Sequence, residues 1–107
     1  MTNDAAVDDA PRELSRVVDR LRTMPLTRLA RPWAEFPSLA AGARALAQEL
    51  SDRGAEAAGT ERHVVPDVGD VAVGDQVAVT GRDYMNLGSL ADLDWLAERL
   101  REFRLAV

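Results

Sequence analysis

Three segments of the chain repeat apolar residues at intervals of three and four positions. This spacing places the apolar side chains of each segment on one face of an α-helix. The three sets are Leu14, Val17, Val18 and Leu21; Leu39, Ala43, Leu46 and Leu50; and Leu93, Leu96, Leu100 and Phe103. The pattern predicts helices over residues 11–23, 38–53 and 89–104. The last two stripes have the spacing of helices that pack along another helix.

Local signals mark the ends of these helices. Pro11 is suited to a first helical turn, and Pro25 stops the first helix near residue 23. Gly54 is a plausible end for the second helix. Before the third helix, Ser89 and Asp92 resemble a capping box, in which each residue satisfies a free backbone N–H of the first turn.

Residues 64–82 allow two interpretations. Val71, Val73, Val77 and Val79 alternate around Gly74 and Asp75, which is a β-hairpin signal. The competing interpretation is a fourth helix over residues 71–87 that ends at Gly88. We favour the helix, because a lone hairpin needs further strands and the rest of the chain supplies none. The expected fold is all-α, a small irregular bundle of three to four helices, with a possible short β-hairpin within residues 64–82.

The remaining segments set the domain organisation. Residues 1–10 are acidic and poor in large apolar side chains, so we expect a disordered tail followed by a single helical domain over residues 11–107. Residues 24–37 contain three prolines and predict an ordered connector with one helical turn near residues 27–30. Trp33 and Phe36 lie in this connector.

The composition narrows the classes of protein that remain. There is no cysteine, which excludes a disulfide framework and a thiolate nucleophile and is consistent with a reducing compartment. Every basic residue is an arginine, which indicates a bacterium with a GC-rich genome. The first ten residues lack the apolar core of a signal peptide, and no uncharged stretch approaches the length of a membrane span. We therefore expect a cytoplasmic protein.

The charge is unevenly distributed. The chain has a net charge of −5, yet residues 11–31 contain six arginines and two acids, a local charge of +4. The simpler interpretation is that these arginines lie over the protein's own acidic surface. The alternative is an RNA- or phosphate-binding module in which Arg12, Arg16 and Arg20 bind the anion. The overall acidity, with a pI near 4.8, argues against nucleic acid.

No catalytic motif is visible. The chain lacks a glycine-rich phosphate loop, a nucleophile elbow and the spacing of an EF-hand. The single histidine, His63, lies in a polar loop, where an imidazole is usually solvated. We expect no catalytic residues, no cofactor and no bound metal. A further alternative is a small-ligand-binding helical bundle with its site near His63, Tyr84 and residues 70–83.

Four residues are candidates for contact with a partner: Trp33, Phe36, Trp95 and Arg99. Trp95 falls outside the leucine stripe of its helix, with Arg99 as a neighbour one turn on. Either this helix is buried on two sides or Trp95 anchors a partner, and tryptophan and arginine are enriched at the energetic centres of interfaces. The sequence therefore predicts a small non-enzymatic interaction or regulatory protein of the adaptor type, with a protein partner or a second copy as its ligand.

Overall fold

The three predicted apolar stripes lie on the inner faces of three long helices, and a fourth long helix forms over residues 73–87. The structure is a computed structural model that describes residues 5–107, and it contains five α-helices and no strand within that range. They are α1 (Ala5–Thr23), α2 (Leu26–Leu29), α3 (Leu39–Ala58), α4 (Val73–Leu87) and α5 (Leu90–Ala106). The all-α class is confirmed. The expected number of three to four helices is wrong, because the connector turn forms the short helix α2.

The possible hairpin within residues 64–82 does not form. A single 3₁₀ turn (Asp70–Ala72) leads directly into α4. Val73, Val77 and Tyr84 are fully buried, and their spacing is that of one helical face. Val79 points away from that face and is exposed. The helical period therefore outweighs the alternation of valines, because α1 and α3 supply an apolar groove and residues 5–107 contain no strand to pair with.

Two helix boundaries differ from those expected. Helix α1 begins at Ala5 rather than Pro11, so the described part of the predicted tail is helical, and residues 1–4 lie outside the described range. Ala6 and Ala10 are buried and extend the apolar stripe toward the N-terminus. Helix α3 continues past Gly54, which packs against Tyr84, and ends at Gly59, whose φ of 69° is in the left-handed region.

The directions of the helices follow from their contacts. Gly81 of α4 lies against Leu14 of α1, and Gly74 lies against Leu21, so these two helices are antiparallel neighbours with closely approaching backbones. Arg44, near the start of α3, meets Asp70 just before α4, and Gly54, near its end, meets Tyr84. Helices α3 and α4 therefore run in the same direction. Residues 60–69, which we call the crossover, return the chain along this pair.

One edge of the bundle is open. Helix α1 packs closely against both α4 and α5, and α4 packs against α3, but the backbones of α3 and α5 hardly approach each other. Side chains close this gap, among them the Arg99–Glu49 ion pair. No helix within residues 5–107 has both the length and the apolar character needed to cross a membrane.

Two glycines of α3 provide a matched test of this packing. A Cβ at Gly42 would lie 2.6 Å from the Trp33 ring, whereas the nearest atom to a Cβ at Gly54 is 3.7 Å away. We expect Gly42→Ala to lower the free energy of unfolding by about 1–3 kcal/mol through overpacking. Gly54→Ala should raise it by about 0.5–1 kcal/mol, because alanine favours the helix and fits the space. Urea denaturation measures both, and changes of equal sign would contradict the described packing.

Candidate interaction surfaces

The connector between α2 and α3 holds Trp33 and Phe36 in a tight turn. The Phe36 N–H donates to the Trp33 carbonyl oxygen at 2.9 Å, and the Trp33 N–H donates to the Phe36 carbonyl oxygen at 3.3 Å. Ala34, inside the turn, has a φ of 51°, the left-handed conformation that favours glycine. The two aromatic rings stack with centroids 6.0 Å apart and planes 10° from parallel. The turn therefore presents the rings as one unit.

Trp33 also links the start of α3 to the end of α5. Its indole Nε1–H donates to the Ala106 carbonyl oxygen at 3.3 Å. The ring meets Phe103 edge-on at 5.4 Å between centroids and covers Gly42, which has no side chain to obstruct it. Trp33 is partly exposed, yet it is fixed on three sides by its own chain.

A cleft of about 370 Å³ runs along the open edge between α3 and α5. Its aromatic lining is Trp33, Phe36 and Phe103, and its charged lining is Glu35, Glu49, Arg99 and Glu102. The Arg99 Nε lies 2.7 Å from Glu49 Oε1, so this guanidinium is already paired. Three of the four residues predicted to contact a partner therefore line one cleft. We call it the α3/α5 cleft.

The fourth predicted residue, Trp95, lies one turn before Arg99 on the same edge. The guanidinium carbon of Arg53 sits 3.4 Å above the centroid of its ring, in a cation–π contact. Tyr84 meets the ring edge-on at 6.2 Å. Trp95 thus packs against α3 and α4, and its partners belong to the chain itself.

Tyr84 joins α4 to the start of α5. Its hydroxyl donates to Asp92 Oδ1 at 2.7 Å, and Asp92 Oδ2 also accepts the Ser89 N–H at 2.9 Å, so the predicted capping box is present. Burial, together with the bond to Asp92, raises the pKa of Tyr84 to about 12. The bond from Ser89 and that from Tyr84 lower the pKa of Asp92. Tyr84 is buried and its hydroxyl is bonded to Asp92, whereas His63 is exposed on the crossover. The structure therefore does not bring Tyr84 and His63 together in one site.

The structure places two of the predicted anion-binding arginines, Arg12 and Arg16, in one cleft and the third, Arg20, outside it, and all three already have contacts within the chain. Arg12 lies 3.2 Å from Asp9, and Arg16 lies 3.3 Å from Glu13. Both arginines line a cleft of about 260 Å³ between α1 and α5, which also contains Arg101 and Arg104. Arg20 lies outside this cleft and donates to the main-chain oxygen of Val107 at 2.9 Å.

Glu13 is the buried centre of the α1/α5 cleft. Arg104 contacts both of its carboxylate oxygens, at 2.7 and 3.2 Å, and these bonds lower the pKa of Glu13. The carboxylate is shared between Arg104 and Arg16. Arg104 thus joins α5 to α1, whereas Arg12 and Arg16 pair with acids of α1 itself.

The crossover is held on its inner side by polar side chains of α3 and α4. Gln48 donates through Nε2 to the His63 carbonyl oxygen at 2.8 Å and accepts the Val65 N–H at 2.7 Å. Gln76 donates to the Pro66 carbonyl oxygen at 2.7 Å. Arg44 lies 3.0 Å from Asp67. The crossover therefore has a defined backbone although it contains no helix or strand.

The outer side of the crossover is apolar. Val64 is 85% exposed and Val68 62% exposed, and Val79 on the adjoining face of α4 is 55% exposed. These three side chains border one open cavity of about 440 Å³. We call them the valine surface. The sequence analysis did not identify these valines as a contact site. A signal that could have done so is the presence of valines in a short segment with proline and glycine, for which the sequence predicts no strand to pair with.

Within residues 5–107, no cluster of histidine, aspartate and glutamate side chains is arranged to hold a metal ion. Comparison with protein-family models gives no match, and comparisons with curated proteins and with solved structures give no significant similarity. Function must therefore be argued from these surfaces.

The burial of Tyr84 predicts an unusual alkaline titration. It is the only tyrosine, so tyrosinate absorbance reports it directly. We expect a pKa of about 12 in the folded protein, against about 10 in urea-unfolded protein. Because the fold favours the neutral form of Tyr84, the contribution of this residue to the free energy of unfolding is fully present below pH 10. It is lost as the pH rises through about 12. A folded-state titration near 10 would contradict the buried bond to Asp92.

Proposed function

We propose that the protein is a non-enzymatic interaction module that binds an apolar segment of another protein through the valine surface. One observation carries the proposal: Val64, Val68 and Val79 border a single cavity and are more than half exposed. Isolated exposed apolar residues are ordinary on protein surfaces, but apolar residues grouped around one concavity indicate a contact site.

The free energy available at this surface is considerable. Burial of a fully exposed valine contributes up to about 1.5–3 kcal/mol. The three side chains leave most of that contribution unrealised in the free domain, with Val64 85% exposed. A partner that covers them gains it on binding.

The valine surface is also formed in advance. Gln48 and Gln76 hold the crossover backbone through three hydrogen bonds, two to carbonyl oxygens and one from an N–H. A partner therefore meets a segment that is already ordered, and binding does not have to offset the entropy of ordering it.

The charges beside the valine surface favour an apolar partner rather than a charged one. Asp67 lies beside Val68 in the chain and is paired with Arg44, and Asp75, which lines the cavity, is paired with Arg22 at 2.6 Å. Both carboxylates thus have a cation within the domain, and the partner has no need to supply one. The lack of cysteine and lysine supports a cytoplasmic, bacterial setting for this interaction.

The alternative functions have less support. Arg12 and Arg16 are paired with acids, and Arg20 contacts a main-chain oxygen, so a phosphate would compete with existing contacts. The small-ligand alternative combined His63, Tyr84 and residues 70–83. His63 borders cavities that Asp75 and Asp83 also line, but Tyr84 is buried and bonded to Asp92. We therefore base the proposal on the valine surface alone.

The double variant Val64→Ser/Val79→Ser tests the proposal, with Val7→Ser as control, because Val7 is 48% exposed on α1 and lies outside the valine surface. Nuclease-treated lysate of the native organism is passed over each immobilised protein, and captured proteins are identified by mass spectrometry. Sedimentation equilibrium measures self-association in parallel. We expect the double variant to weaken the captured complex at least tenfold, a loss of about 1.4 kcal/mol.

The control should bind as the unmodified protein does, and circular dichroism should show the same helix content in all three. A complex of equal strength in both variants would contradict the proposed site. The absence of any captured protein, together with a monomer at all concentrations, would contradict the function.

A further inference from the structure

We infer that the α3/α5 cleft is a second, independent binding site, and that its ligand is a basic segment of a protein carrying arginine side chains. The inference combines an aromatic lining, an excess of carboxylates and a preformed shape. None of these involves the valine surface, so each site can be tested without the other.

The electrostatics of the cleft favour a cation. Three carboxylates, those of Glu35, Glu49 and Glu102, face one guanidinium, that of Arg99, which leaves a formal charge of −2. Arg99 is paired with Glu49. Glu35 and Glu102 are exposed and have no ion-pair partner within residues 5–107. The two unpaired carboxylates therefore remain available for a positively charged ligand.

The aromatic lining suits a guanidinium. A cation over the face of a tryptophan or phenylalanine ring is attracted by the ring quadrupole, and arginine is the more frequent partner in proteins. The chain already contains this contact on the same edge, where Arg53 lies 3.4 Å above the Trp95 ring. Trp33 and Phe36 are only partly buried where they line the cleft, and within residues 5–107 no arginine lies over either ring.

The shape of the cleft is fixed before binding. The Trp33 indole donates a hydrogen bond to Ala106, meets Phe103 edge-on and packs on Gly42. The Phe36 ring is stacked with it. The volume of about 370 Å³ lies within the range of ordinary ligand sites. Little reorganisation is therefore needed when a ligand enters.

The spread of the carboxylates indicates a peptide segment rather than a single small cation. The two unpaired carboxylates lie on different elements, Glu35 on the connector before α3 and Glu102 on α5. A segment that carries two or three cationic side chains can contact both of them while a further side chain packs on the aromatic lining.

The test uses a hexa-arginine peptide, with hexa-citrulline as its neutral counterpart of nearly the same shape. In the variant Trp95→Phe, Trp33 is the sole tryptophan, so its fluorescence reports the cleft. Isothermal calorimetry on the unmodified chain gives the affinity independently of that substitution. We expect hexa-arginine to bind and to change the Trp33 emission, and hexa-citrulline to bind at least tenfold more weakly.

A matched pair of variants separates the cleft from general electrostatics. Glu35→Gln/Glu102→Gln removes the two unpaired carboxylates, and Glu56→Gln/Glu61→Gln makes the same change in net charge outside the cleft. We expect the first to weaken hexa-arginine binding at least tenfold and the second about twofold or less. Equal weakening by both pairs, no binding by the unmodified chain, or equal binding of the two peptides would overturn the inference. The valine-surface variant should bind hexa-arginine normally, which keeps the two proposals distinguishable.

Discussion

The parallel arrangement of α3 and α4 is the constraint on which the rest of the structure depends. Two consecutive parallel helices require the chain to return along their length, and residues 60–69 do so over the seam between them. This return forms no helix or strand, so Gln48 and Gln76 supply hydrogen-bond partners for its backbone. This polar anchoring occupies the inner side and leaves Val64 and Val68 on the outside. The valine surface is thus a direct consequence of the topology.

The same topology produces the second surface. Helix α1 lies between α4 and α5, and among the long helices within residues 5–107 the backbone of α3 lies close only to that of α4. The edge between α3 and α5 is therefore closed by side chains. Arg53 meets Trp95 there, and Trp33 covers Gly42. An edge closed in this way leaves a cleft, which aromatic rings line and carboxylates border. The valine surface therefore arises from the parallel arrangement of α3 and α4, and the cleft arises because the backbones of α3 and α5 hardly approach each other.

The sequence predicts those parts of the structure that depend on local periodicity. The long helices and the capping box of Ser89 and Asp92 follow from neighbouring residues, and the structure contains them. The start of α1 and the continuation of α3 past Gly54 depend on burial against distant helices, which local signals do not report. The grouping of Trp33, Phe36 and Arg99 in one cleft depends on side-chain contacts between α3 and α5, which are far apart in the sequence. The exposure of Val64 depends on which side of an extended segment faces the helices, and periodicity carries no information about that.

The most direct test of the central claim is photo-crosslinking in the native organism, with a photoreactive amino acid in place of Val64. The same amino acid in place of Val7 is the control, because Val7 is exposed on α1. If the valine surface is covered by a protein, position 64 gives a discrete crosslinked product and position 7 does not. No product from position 64, or the same product from both positions, would contradict the account.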